Sequence, residues 1–323
     1  MIRALAITGP TASGKTALSL RLAKDIPLEI ISCDSMQIYR GMDIGTAKAT
    51  PEERLAVPHH LIDVVSPSES YSSGKYRESA LLVAQKIEER GRLPLFVGGT
   101  GLYVDTLTRA MNEQIPESDP EYRDALIKST VTEEDKIALW QRLCEVDRES
   151  AEAIHYNNVR RVIRAIEVYE QTGRPKSSFD RESRLAEREI DIKMITLDFH
   201  NRENLYARVD ARVDVMMKEG LLDEVRALYE GGLLCDDTTA SRAIGYKELV
   251  AHLRGECTLT EAVELIKLSS RRYAKRQLTW FRHVEDARRV YLDTEDGRLL
   301  DIEEIYKEVY NNAKELLGKK EER

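Results

Sequence analysis

The sequence predicts an α/β protein, a parallel sheet flanked by helices, with an all-helical insertion in its middle. Three observations carry this. Apolar, β-rich runs alternate with helical segments in the first third of the chain, and a glycine-rich loop joins the first run to its helix. The strand rhythm then stops near residue 112 and returns at 192–199 (IKMITLDF).

Taken in order, residues 2–8 (IRALAIT) read as a buried strand, and Lys15, after the loop 9–14, opens a helix with Leu18, Leu20 and Leu22. A second strand at 28–33 (LEIISC) ends on Asp34. Further strands are expected at 61–65 (LIDVV) and 93–97 (LPLFV), with a helix at 76–90 between them. From Asp119-Pro120 the pattern is helical, with Thr132 and three acids opening another helix and Gly173-Arg174-Pro175 closing the last. Behind the returning strand, helices are expected at 202–218, 221–230, 242–254, 259–283 and 301–317. The expected organisation is therefore a core in two parts, 1–113 and 191–323, separated by an insertion at 114–190.

Composition narrows the class. With 323 residues, 42% hydrophobic and 33% charged, the chain reads as a helix-rich soluble protein. No apolar run is long enough to cross a bilayer and no secretory signal precedes the first strand, so the expected location is the cytoplasm. Cys33, Cys144, Cys235 and Cys257 stand far apart, against a zinc module or a disulfide framework. His59-His60 matches no metal set and reads as loop. Net charge is −8, yet 157–176 carries +3 and 271–289 carries +5. Basic patches on an acidic body fit either contact with phosphates at chosen places or solvated charged faces.

The segment Gly9-Pro10-Thr11-Ala12-Ser13-Gly14-Lys15-Thr16 fits GxxxxGK[ST] and sits between a strand and a helix. Its backbone amides and the helix N-terminus can face diphosphate oxygens, Lys15 adds charge, and the Thr16 hydroxyl can ligate Mg²⁺. This makes the α/β part a P-loop core. Asp34, at a strand end beside that loop, fits a metal ligand, a proton acceptor or a turn cap. Gly98-Gly99-Thr100-Gly101 ends a strand on the same sheet edge and fits a tight turn or a site.

Six segments together resemble one known family: GPTASGKT (9–16), DSMQIYRGMDIGTAK (34–48), GGTGLY (98–103), NNVRRVIRAIEVYEQTGRP (157–175), AIGYKEL (243–249) and AKRQLTWFR (274–282). They are similar to the bacterial tRNA dimethylallyltransferases. Two positions depart from the pattern: Arg242 stands where glutamine is frequent, and Asn158 replaces a commonly acidic residue.

The resemblance implies transfer of a dimethylallyl group from dimethylallyl diphosphate to N6 of the adenosine after the anticodon, with Mg²⁺ as cofactor and the anticodon stem-loop of tRNA as partner. It implies catalytic roles for Asp34, Thr100 and Arg212, the last as a diphosphate clamp; without it, Arg212 reads as a surface ion pair rather than a clamp, beside the apolar face Leu205, Val209, Val213 and Met216. tRNA contacts are expected from Asp34, Ser35, Met36, Gln37 and Thr100, from Arg242, Gly245 and Tyr246, and from the insertion's Arg123, Arg160, Arg161 and Arg164. Arg271, Lys275 and Arg282 should form a phosphate-facing stripe on one helix, with Arg276 nearby, while Tyr273 and Trp280 on the opposite face should pack into the core. A monomer is expected. Two rivals remain on the P-loop alone: a small-molecule kinase and a nucleotide-switched RNA-binding module.

Overall fold

The computed structural model describes residues 1–108, 115, 119–234 and 238–318. The chain divides into two compact units, Met1–Thr108 with Glu189–Arg323, and Arg109–Arg188.

In the first unit the sheet begins with β1 (Ile2–Thr8), followed by α1 (Lys15–Leu22), β2 (Leu28–Ser32), α2 (Pro51–Ala56), β3 (His59–His60), α3 (Ser73–Glu89), β4 (Leu93–Gly98) and α4 (Gly101–Thr108). The second unit holds α5 (Pro120–Ser129), α6 (Glu133–Val146), α7 (Arg148–Ala153), α8 (Val159–Thr172) and α9 (Lys176–Leu185). The chain then returns to the first unit through β5 (Ile190–Asp198), α10 (Arg202–Lys218), α11 (Leu221–Glu230), α12 (Tyr246–Leu253), α13 (Leu259–Arg282), β6 (Arg288–Tyr291) and α14 (Ile302–Gly318).

Six parallel strands lie in the order β3-β2-β4-β1-β5-β6. Parallel pairing forces crossovers, and the helices that make them cover both faces. Alternate residues of β1 divide between those faces. Leu5 and Ile7 pack with Leu18 and Leu22 of α1, Leu205 and Val209 of α10, and Leu278 of α13. Ala4 and Ala6 pack with Tyr76, Ala80 and Ala84 of α3 and with Val104 of α4. A third cluster joins Ile38, Tyr39 and Met42 to α10, α11, α12 and α13. Because all strands run the same way, the ends of β1, β2 and β4 bring the loop 9–14, Asp34 and the 98–101 turn to one edge, where ligands of open α/β sheets bind.

Several expectations change. Residues 61–65 are not a strand, because Leu61 and Asp63 adopt left-handed backbone (φ 57° and 58°) that breaks an extended run. The pairing falls instead on His59-His60, expected as loop, which aligns with Ile30-Ile31 as the sheet edge. Gly173-Arg174-Pro175 closes α8 but does not end the helical unit: Gly173 turns left-handed (φ 71°) and Pro175 becomes the cap residue of α9. Sequence reading also misses β6, in which only Val290 is fully buried. Cys33 is buried, Cys144 and Cys257 are partly buried and all three are free thiols; Cys235 lies outside the described residues. Among the described residues, no helix is long and apolar enough to cross a membrane.

The helical unit has its own core, with Leu139, Leu143, Val162, Ile163 and Ile166 at its centre. Two buried carboxylates organise its polar groups. Asp147 accepts from the Ser150 amide at 3.1 Å, the Ser150 hydroxyl at 2.6 Å and the Ser177 amide at 2.9 Å, tying the starts of α7 and α9 together. Glu167, 1% exposed, accepts from Arg123, Arg164 and the Asp119 amide.

Burial opposes the charge on Asp147, but hydrogen bonds from Ser150 and Ser177 hold its pKa below the usual aspartate value. Its stabilisation is therefore complete above the unfolded value of about 3.9 and lost as pH falls through the depressed native one. Asp147→Ala should destabilise the helical unit by about 1–3 kcal/mol at neutral pH. Hydrogen exchange across 148–185 in the intact chain measures this, and the gap between wild type and variant should close in acid.

Candidate active site

The loop after β1 takes its shape from close backbone approach. Gly9 has φ 142°, and a Cβ there would stand 2.8 Å from the Leu197 carbonyl oxygen. Ala12 (φ 62°) and Gly14 (φ 84°) are left-handed, a geometry that turns backbone amides toward a common centre. Gly14 caps α1, so the helix N-terminus adds its partial positive charge. The Lys15 amine folds back over the loop, donating to the carbonyls of Gly9 at 3.1 Å and Pro10 at 2.6 Å and to the Ser13 hydroxyl at 3.3 Å.

Lys15 does not stand alone. Burial and, after it, the neighbouring Arg212 charge push its pKa down to about 7, against the opposite pull of Asp34. Burial also weighs against the charge of Arg212, which Asp34 and Glu219 favour. Arg208, one turn away on α10, donates to the Ala12 carbonyl at 2.9 Å and braces the loop from outside. Two desolvated cations thus face one carboxylate.

Asp34 extends from the end of β2 into a cavity of about 650 Å³. One of its oxygens accepts from the Met36 amide at 2.9 Å. The cavity is lined by Thr11, Lys15 and Thr16 from the loop, by 34–37 and 45–49, by Arg212, Val213 and Met216 of α10, by 242–246, and by Ile266, Tyr273, Arg276 and Gln277 of α13. Ser35, Met36, Gln37, Arg242, Gly245, Tyr246 and Arg276 therefore all reach one space.

The 98–101 turn explains its glycines through its neighbours. A Cβ on Gly98 would stand 2.0 Å from the Cys33 carbonyl oxygen, one on Gly99 2.2 Å from the Gln277 amide nitrogen, and one on Gly101 2.4 Å from the Trp280 ring. Thr100 sits between them. Its hydroxyl accepts from the Ser35 amide at 3.0 Å and donates to the Ser35 hydroxyl at 3.4 Å, which fixes the residue next to Asp34.

Other expected contacts are held inside the protein. Tyr246 is buried and donates to Glu224 at 2.6 Å. Gly245 (φ 95°) donates its amide to Glu248 at 2.8 Å, and Gln37 braces the carbonyls of Thr46 and Ala47. The expected phosphate stripe on α13 is narrower than spacing implies. Arg271 forms an ion pair with Asp210 at 2.6 Å and Arg282 one with buried Asp198 at 2.8 Å, leaving Lys275 exposed between them. In the helical unit Arg123 and Arg164 both pair with Glu167, whereas Arg160 and Arg161 are exposed. Of the aromatic residues of α13 only Phe281 is in the core; Tyr273 lines the cavity and Trp280 is 36% exposed over Gly101, so neither packs there as expected.

Sequence reasoning missed two side chains that hold the site together. Glu224 accepts from the consecutive amides of Asp43 at 2.9 Å, Ile44 at 2.7 Å and Gly45 at 3.1 Å, fixing the cavity wall that begins at Gly45. Gln277 links the loop 9–14 to Gly99. The only signal for Gln277 was its place in AKRQLTWFR; nothing marked Glu224.

Comparison with known proteins gives the family. A family model described as IPP transferase matches residues 37–284, and one described as Isopentenyl transferase matches 2–63. The chain is 48% identical to a tRNA dimethylallyltransferase of Shouchella clausii over 91% of this chain and 93% of that one. Against the tRNA dimethylallyltransferase of Halalkalibacterium halodurans the identity is 44%, over 99% and 98%. Among solved structures, the full-length tRNA isopentenylpyrophosphate transferase of Bacillus halodurans aligns with TM-score 0.69 at 42% identity, covering 98% of this chain and 99% of that one. A eukaryotic dimethylallyltransferase acting on tRNA aligns with TM-score 0.76 at 29% identity, over 90% and 74%.

The excess of buried positive charge calls for an anionic ligand. Inorganic pyrophosphate should bind the protein, and Lys15→Ala should weaken that binding roughly 10- to 100-fold, the range expected for a lost charged hydrogen bond. Calorimetric titration with pyrophosphate measures it; unchanged affinity would move the anion site elsewhere.

Proposed function

The chain belongs to the tRNA dimethylallyltransferase family, and from that premise we propose how its own residues transfer a dimethylallyl group from dimethylallyl diphosphate to N6 of the adenosine 3′ to the anticodon, position 37 of tRNAs reading codons that begin with U. The observation that carries this reading is that Lys15, Arg212 and Asp34 all line one cavity, close enough to act on one another electrostatically. Positive charge there receives a departing diphosphate, and the carboxylate beside it receives a proton.

Adenine N6 is a weak nucleophile because its lone pair is delocalised into the ring. It therefore needs an electrophile that ionises readily and a group that takes its proton. In an allylic diphosphate the C1–O bond breaks while positive charge at C1 is spread over the double bond. Lys15, Arg212 and the amides of 12–16 stabilise the charge growing on the diphosphate, an interaction stronger in the transition state than before it. As the N6–C1 bond forms, Asp34 accepts the N6 proton. Thr100, locked to Ser35, keeps the 34–35 turn beside the base. The apolar wall of Val213, Met216 and Ile266 suits a hydrocarbon donor, and the relatives' prenyl chemistry weighs against the kinase reading.

Mg²⁺ fits the donors available. Among the described residues no group of three His, Cys, Asp or Glu could hold a metal. The Thr16 hydroxyl at the head of α1 suits an ion carried mainly by diphosphate oxygens and water, the habit of Mg²⁺. Bound there, such an ion would supply further neutralisation of the leaving diphosphate.

The tRNA anticodon stem-loop is the proposed partner. Arg160 and Arg161 of the helical unit and Lys275 and Arg276 of α13 are its proposed phosphate contacts, since all four are exposed. Extrusion of the adenosine from its stack brings N6 to a carboxylate at the sheet edge.

Protein incubated with Mg²⁺, dimethylallyl diphosphate and a stem-loop carrying three adenosines from the anticodon's last base onward should add one C5H8 unit to the RNA by mass spectrometry, and ATP in place of the donor should add nothing. Asp34→Asn should slow the single-turnover step by about 10²–10⁴-fold with donor affinity within a few fold. Recovery by added Mg²⁺ would instead make Asp34 a metal ligand. Replacing Arg160 and Arg161 together with glutamine should lower the salt dependence of stem-loop binding by about one log unit for each phosphate no longer neutralised; an unaltered slope removes the helical unit from phosphate binding.

A further inference from the structure

Three residues on one stripe of α13 meet three consecutive residues of the 98–101 turn. Tyr273, Gln277 and Trp280 are spaced by four and three, so they share a helix face. The Tyr273 hydroxyl lies beside Thr100 and Gln277. The Gln277 side chain fills the space a Cβ on Gly99 would need, and the Trp280 ring fills that of Gly101. The helix therefore fits against the turn with no room for adjustment.

Within this stripe Gln277 does something the other two do not. Its side chain is 4% exposed and uses both ends of its amide. The carbonyl oxygen accepts from the Thr11 amide at 2.8 Å, and the nitrogen donates to the Gly99 carbonyl at 2.9 Å. Thr11 belongs to the diphosphate loop and Gly99 precedes Thr100. One planar, desolvated group thus spans the donor side and the acceptor side of the cavity, and its polarity fixes its orientation: reversed, it would set donor against donor at Thr11 and acceptor against acceptor at Gly99.

We infer that Gln277 is a positioning residue that sets the separation between the donor diphosphate and the acceptor amine, by fixing the 9–14 loop and the 98–101 turn to one rigid amide. This rests on the transfer reaction proposed above and adds a residue that acts through the backbone of Thr11 and Gly99. Displacements of about 1 Å in reacting groups cost on the order of 10²-fold in rate, so a spacer need act over no greater distance.

The consequence for the chemistry is specific. If C1 and N6 are out of register when the C1–O bond breaks, water adds to C1 instead, giving dimethylallyl alcohol, diphosphate and a proton. Loss of spacing should therefore divert donor from RNA to water, whereas mere loss of folded protein lowers both products together.

The test compares wild type with Gln277→Ala, which removes both hydrogen bonds, and Gln277→Glu, which keeps shape and the bond from Thr11 but sets an acceptor against the Gly99 carbonyl. Single-turnover reactions with labelled dimethylallyl diphosphate and stem-loop RNA would quantify alkylated RNA and free alcohol, and dimethylallyl diphosphate affinity would be measured separately. Expected are a fall in transfer of roughly 10- to 100-fold, a raised alcohol-to-RNA ratio in both variants, and donor affinity within about threefold. The inference is overturned by an unchanged ratio, by parallel loss of both products, or by loss of donor affinity that accounts for the rate. Should Gln277→Ala fail to fold, the glutamate variant decides alone. If wild type itself transfers nothing to RNA, the proposed function fails, an outcome distinct from any result on Gln277.

Discussion

Two buried cations facing a single carboxylate constrain the rest of this molecule. Burial weighs against the charge of both Lys15 and Arg212, and the Arg212 charge weighs further against that of Lys15. Such an arrangement persists only if the surrounding fold holds it, and the fold does so through backbone. Lys15 is held on the carbonyls of Gly9 and Pro10, and the α10 register that delivers Arg212 also places Arg208 on the Ala12 carbonyl. Gly9 is pressed against β5 at Leu197, so the loop cannot relax away from the charges. The parallel sheet supplies the common edge, and the helices behind it supply the second cation.

Around this centre the same device recurs: a buried carboxylate collects backbone amides and fixes a turn. Asp147 does so between α7 and α9, Glu167 at the start of α5, and Asp293 at His200 and Asn201. In each case protein donors, rather than water, satisfy the buried oxygens. The acidic net charge of the chain is thus partly spent inside, on turns that hold elements in place. That also accounts for the narrowed basic surface, because Arg123, Arg164, Arg271 and Arg282 are drawn to internal acids.

What could be read from the sequence was what is local. The diphosphate loop, Asp34 and the glycine turn each come after a short apolar strand, and α10 and α11 fall on the expected residues. Local pattern failed where distant partners decide. Spacing placed Arg282 on the same helical face as Lys275, yet its fate is set by Asp198, 84 residues away. Gln277 is joined to Thr11 across 266 residues. A run such as LIDVV has strand composition, but the ion pairs of Asp63 with Lys48 and Arg54 favour a turn. Helical periodicity gives the direction in which a side chain points and is silent about what it meets.

Glu224 shows the effect of filling a site in advance. The three consecutive amides of 43–45 converge in the manner of an anion receptor, and a cavity that admits a polyanion would otherwise offer two rival seats for phosphate. The chain's own carboxylate occupies one of them, anchored further by Tyr246. A phosphate entering that cavity therefore meets a receptor at 43–45 that is already satisfied. Selectivity for where phosphate goes is thus obtained by internal competition.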